Sequence, residues 1–147
     1  WYIWLTEKMC LVSYFCYNKL SPLHCCALFN APANVVRILM KSTFAQKAAI
    51  MTDPNNATPL HLVCASVNVG DMIELVELLE TKEAAVQTDG KERTPMHMAA
   101  ENTKATKQLI KTLGEINIKA AKMETTKGRM PLHVALRKKA DESVIKA

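Results

Sequence analysis

A four-residue signature recurs along the chain, as Ser21-Pro22-Leu23-His24, Thr58-Pro59-Leu60-His61, Thr94-Pro95-Met96-His97 and Met130-Pro131-Leu132-His133. Its histidines stand 37, 36 and 36 residues apart, and they are all four histidines of the 147-residue chain. A fixed period of this length means one supersecondary unit stacked on copies of itself, each copy burying a face that its neighbour supplies. More than the tetrad carries the period. Ten residues before each of the last three tetrads stands an Ala-Ala pair (Ala48-Ala49, Ala84-Ala85, Ala120-Ala121), and five residues before stands the start of a polar turn, Asp53, Asp89 or Thr125. Landmarks that share one register constrain the architecture before any side-chain chemistry is considered.

Each tetrad reads as a helix start. Ser21, Thr58 and Thr94 can accept a hydrogen bond from a free amide of the first turn, and proline follows where its missing N–H is harmless. Met130 has no side-chain oxygen, so the fourth start is expected to be weaker. The short helix ends near Asn30, Asn68 or Asn102, a residue type that tolerates a left-handed turn. A second helix then follows, with apolar residues three and four apart: Val35, Val36, Ile38 and Leu39; Ile73, Leu75, Val76, Leu78 and Leu79; Leu109, Ile110 and Leu113. Turn-rich stretches separate the units, and Asp89-Gly90 is the strongest hairpin signal among them.

Two short antiparallel helices with a projecting turn, four tetrads, the small pairs after them (Cys26-Ala27, Val63-Cys64, Ala99-Ala100, Ala135-Leu136) and leucine-rich second helices resemble the ankyrin repeat family. The resemblance covers about residues 21–147 and implies an all-α solenoid of stacked helix–turn–helix units with projecting β-turn or hairpin loops. It divides a single domain, 1–147, into a partial repeat or cap at 1–20, repeats at 21–57, 58–93 and 94–129, and a truncated repeat at 130–147. The units run about three residues beyond the usual ~33 of the family, an excess expected in the second helix and its exit. Glycine before the capping residue survives only as Gly128, with Lys19, Asn56 and Glu92 at the equivalent places. The absence of an initiator Met and the incomplete end units suggest a piece of a longer chain.

Composition narrows the function. Apolar residues make up 49% and charged residues 22%, a soluble globular balance, and no run reaches the ~18–20 apolar residues of a membrane span. Five cysteines (Cys10, Cys16, Cys25, Cys26, Cys64) show no metal-type spacing and read as reduced intracellular thiols, in a cytoplasmic or nuclear setting. The four glycines cannot write a phosphate-cradling loop. Imidazoles one repeat apart do not converge, so His24, His61, His97 and His133 are expected to be structural, each bonding the hydroxyl before it and a carbonyl of the neighbouring turn. A Cys–His nucleophile at His24-Cys25 or His61/Cys64 lacks a third, orienting group. No enzyme, cofactor or metal is therefore expected.

Charge is uneven. Residues 94–147 carry 11 Lys/Arg against 5 Asp/Glu, whereas residues 1–93 carry 8 against 9. The basic half has no Phe, Tyr or Trp to stack on bases, so an acidic protein surface suits it better than nucleic acid. Six of the eight aromatic residues lie in the first 17 positions (Trp1, Tyr2, Trp4, Tyr14, Phe15, Tyr17), as packing for other repeats or a docking face for another subunit. The resemblance implies a binding surface of turns and first-helix positions. On this register the turn contacts are Asp53, Asn55, Asp89, Lys91, Arg93, Lys127 and Arg129, and the helix contacts are Leu28, Phe29, Ser66, Glu101, Asn102, Arg137 and Lys138. The expected partner is a protein segment with an apolar anchor near Phe29 and acidic residues near Arg137. The role expected is a non-catalytic interaction scaffold or adaptor. The alternatives are a targeting or regulatory arm of a larger enzyme or channel, and nucleic-acid binding through the basic half.

Overall fold

The structure, a computed structural model, describes residues 20–42, 45–66, 72–79, 81–138 and 145–146. Four helices begin at the tetrads: α1 (Pro22–Leu28), α4 (Pro59–Ala65), α7 (Pro95–Glu101) and α9 (Pro131–Arg137). Outer helices α2 (Ala33–Leu39), α5 (Met72–Leu79) and α8 (Lys107–Ile116) follow the first three of them. A third, shorter element then precedes the turn: α3 (Ala45–Ile50), α6 (Lys82–Val86) or a 3-10 helix over Ile118–Lys122. The expectation of two helices per unit is thereby corrected. The residues between the outer helix and the turn form this third element, and the Ala-Ala pairs lie on it. A one-turn segment carries no periodicity for a sequence to display, and alanine is the best helix former that still lets two backbones approach. Ala49, Ala84 and Ala120 are accordingly buried.

Like packs on like. α1, α4, α7 and α9 form one row, α2, α5 and α8 a second, and α3, α6 and the 3-10 helix a third. Helices of 5 to 10 residues are too short to hold themselves in water, so their stability comes from these rows. The shared core is continuous, with Leu60, Val63, Val76, Leu79, Leu109 and Leu113 all but fully buried. Each such side chain is worth about 1.5–3 kcal/mol on removal from water. Ile38, expected in that stripe, instead points to solvent. Side chains also tie the rows: Asn117 Nδ2 donates to the Lys82 carbonyl at 3.3 Å. Among the described residues there is no strand, and none of the helices is long and apolar enough to cross a membrane.

The aromatic cluster at Trp1, Tyr2, Trp4, Tyr14, Phe15 and Tyr17 lies outside the described residues, as do Cys10, Cys16, Lys19, Asn68 and Asp71. Of the remaining helix-end asparagines, Asn30 is left-handed at φ 50°, whereas Asn102 is extended at φ −80° and its backbone amide donates to the Met98 and Ala99 carbonyls.

Candidate partner-binding interface

Three turns of one geometry project beyond the inner helices. In the first, Asp53 Oδ1 accepts from the amides of Asn55 and Ala57, both at 2.8 Å. In the second, Asp89 Oδ1 accepts from Lys91 and Arg93, both at 2.9 Å. In the third, the Thr125 hydroxyl accepts from Lys127 at 3.3 Å and Arg129 at 3.4 Å. The fourth position of each turn is left-handed: Asn56 at φ 58°, Glu92 at φ 56° and Gly128 at φ 64°. Only glycine takes that conformation without strain, so Glu92 holds a backbone shape that its side chain opposes. Neighbouring turns are joined by main chain, with Gly90 N donating to Asn55 O at 2.7 Å and Thr126 N to Lys91 O at 3.3 Å. A Cβ on Gly90 would come to 3.2 Å from the Asn55 carbonyl oxygen, which is why glycine suits this crossing.

The histidines fasten helices to these turns. His24, His61 and His97 are buried, and their Nε2 atoms lie 3.0, 2.9 and 2.9 Å from the carbonyls of Ala57, Arg93 and Arg129. Their Nδ1 atoms each receive the backbone amide of Ser21, Thr58 or Thr94 at 3.1 Å. An amide can only donate, so Nδ1 is bare and the proton sits on Nε2, where the carbonyl accepts it. Neither ring nitrogen is left for a metal or a substrate. Burial pushes all three imidazoles below their ordinary range, against the carbonyl bonds that favour a proton. His133 differs. It is exposed, and its Nδ1 receives the Met130 amide at 3.2 Å with no hydroxyl beside it.

Partner contacts read from the sequence fall into two sets. Asp53 and Asp89 are corrected: both are buried, their carboxylates held by their own turn amides and, for Asp89, by the Arg93 guanidinium at 2.6 and 2.8 Å. Burial works to raise the Asp89 carboxyl, yet the Arg93 bonds hold it below the usual range. The half-buried Asn102 bridges back through its amide to the carbonyls of Cys64 at 3.1 Å and Ser66 at 2.6 Å. The Ser66 hydroxyl donates to Asn30 Oδ1 at 2.6 Å, which extends the same tie by one unit. Polar residues at these places serve the stack.

The second set faces out. Leu28 and Phe29 are 47% and 43% exposed at one end of the inner row. Asn55, Lys91 and Lys127 are exposed along the turns, with Arg129 half-buried, and Arg137 and Lys138 are exposed at the far end. Glu101 lies between them as the centre of an ion cluster. Its Oε2 accepts from Arg93 at 3.1 Å, while its Oε1 lies 3.3 Å from Lys138 Nζ and 4.0 Å from Arg137. This cluster was not anticipated, although Glu101 and Arg137 occupy the same register position one unit apart. A pocket of about 180 Å³ opens beside it, between the third turn and helices α7 and α9, and it adds Thr125, Thr126 and Val134 to the surface. Among the described residues no group of His, Cys, Asp or Glu could hold a metal ion. Of the described cysteines, Cys64 is buried and its thiol is pushed well up by burial.

A family model described as ankyrin repeats (3 copies) matches residues 62–146. No curated protein matches the chain.

Proposed function

The chain belongs to the ankyrin repeat family, and from that premise we propose that it is a non-catalytic scaffold or adaptor, binding a protein partner along its turns and inner helices. Repeats of this family are generally protein–protein interaction modules. The observation that most supports the finer reading is the gradient along this face. Exposed Leu28 and Phe29 stand at one end, and Lys91, Lys127, Arg129, Arg137 and Lys138 gather at the other. Exposed large apolar side chains mark a contact surface, and on the same inner row Leu132 and Leu136 of α9 are exposed as well. The used ring nitrogens of His24, His61 and His97 favour a non-catalytic role.

Such a face fits an extended partner segment with an apolar anchor at Phe29 and acidic residues near Arg137. The test is the affinity of a partner captured from the native source for the unaltered chain, for Phe29→Ala and for Arg137→Ala. Truncating an anchor is expected to cost about 1–3 kcal/mol, and truncating a charge at the rim about 0.2–1 kcal/mol. Unchanged affinity for both variants would remove the proposed placement.

A further inference from the structure

We propose that the pocket between the third turn and helices α7 and α9 seats one anionic side chain of the partner, a carboxylate or a phosphorylated residue. In this proposal Glu101 stands in for that anion when the seat is empty. The inference rests on the turns and inner helices being the contact face, and it adds the chemistry of one contact. The walls carry Lys91, Arg93, Lys127, Arg129 and Arg137, and Glu101 is the one carboxylate among the lining residues. With Arg93 already paired to Asp89, four further cationic groups around one carboxylate leave an excess of positive charge in a small space, and field lines in such a concavity concentrate on whatever anion enters.

The cations are not equivalent. Arg93 is fixed, with Nε and Nη2 on Asp89 and Nη1 on Glu101. Arg137 reaches Glu101 only at 4.0 Å, a loose approach that a better-placed anion can take over. Among the described residues no ion pair involves Lys91, Lys127 or Arg129. Thr126 also lines the pocket. Arg137 and Lys138 both approach Glu101 Oε1, and a guanidinium beside an ammonium suits an oxyanion with more than one acceptor oxygen. A nucleic acid fits less well, because its affinity for unpaired strands comes from aromatic stacking and residues 94–147 contain no Phe, Tyr or Trp.

The full chain is titrated, by fluorescence anisotropy, against three labelled peptides of one sequence carrying a glutamate pair, a single phosphoserine, or glutamines. Both anionic peptides are expected to bind more tightly than the neutral one, and whichever binds better identifies the source of the anion. Lys127→Ala/Arg137→Ala is expected to weaken them roughly fivefold. Glu101→Gln is expected to strengthen them, because it releases Arg137 and Lys138. Lys104→Ala/Lys107→Ala removes the same charge away from the pocket and is expected to change nothing; circular dichroism melts of each variant check that the fold is kept.

Equal weakening by the two double variants would reduce the effect to net charge and overturn the seat. So would unchanged or weaker binding by Glu101→Gln. Tighter binding of a labelled oligothymidylate, lost in the same pocket variants, would overturn it in favour of nucleic acid. Should the anionic peptides fail while Phe29→Ala still abolishes partner binding, the seat falls and the proposed contact face stands. Failure of both removes the face as well.

Discussion

Replacing His61 with alanine is expected to be among the most damaging single changes this chain can take. The imidazole lies between units, receiving the Thr58 amide at 3.1 Å, meeting the Thr58 hydroxyl at 2.8 Å and donating to the Arg93 carbonyl at 2.9 Å. Each bond is worth about 0.5–1.5 kcal/mol net, and a buried donor left without a partner costs about 1–3 kcal/mol. The Arg93 carbonyl retains the Asp89 amide at 2.9 Å, so the orphaned groups are those of Thr58, which is fully buried. With the void left by the ring, the expected loss is about 3–5 kcal/mol. His133→Ala supplies the comparison, because that ring is exposed and the expected loss is below about 1 kcal/mol. Urea unfolding followed by circular dichroism measures both. Stack stability is a sum of units and interfaces, so His61→Ala is also expected to split the transition into two steps. Equal losses for the two variants would refute the claim that the buried histidines fasten one unit to the next.

Acidification provides a second test. The folded pKa values of His24, His61 and His97 are lowered, so the unfolded chain binds more protons as pH falls below ~6.5. Stability is therefore full above that pH and is lost on acidification towards the lower folded values; a melting temperature no lower at pH 5 than at pH 7.5 would contradict the assigned proton positions. Asp89 has the same sign in a lower window, contributing stability above the usual Asp range and losing it below pH ~4, an effect that Asp89→Asn should abolish in the same melts. Glu92→Gly is expected to stabilise by up to ~1 kcal/mol by relieving a left-handed residue, and an unchanged or lower denaturation midpoint would count against strain there. Asp53→Ala should lower stability by about 1–3 kcal/mol, because it strips two amides of their acceptor, without any direct loss of a partner contact.

The stack was legible because its signals are periodic. Proline after a hydroxyl, histidine two residues later and leucines at helical spacing repeat in register, and register survives any local ambiguity. What escaped was local. The third element of each unit is five or six residues long, below any measurable period. Asp53 and Asp89 read as surface groups because aspartate is usually exposed, but a carboxylate surrounded by its own turn amides tolerates burial. Ile38 has the right spacing for the core yet lies one step around the helix from Val36 and Leu39, so it faces water. The backbone of Glu92 could be read only by aligning it with Gly128, since glutamate itself gives no left-handed signal. At the candidate face, charge and apolar character could be read from register alone. The bonding of Glu101 to Arg93, Arg137 and Lys138 could not, because it depends on how far one unit sits from the next.

Site-specific photo-crosslinking tests the proposed contact face most directly. A benzophenone amino acid is placed singly at Phe29 and Lys127, on the proposed face, and at Ile38 and Lys111, exposed positions on the outer helices. Each variant is irradiated in extract of the native source, and the adducts are identified by mass spectrometry. One protein is expected to be captured from both Phe29 and Lys127, at peptides carrying an apolar residue and an acidic or phosphorylated residue respectively, and from neither outer position. Capture of that protein mainly through Ile38 and Lys111 would overturn the proposed contact face.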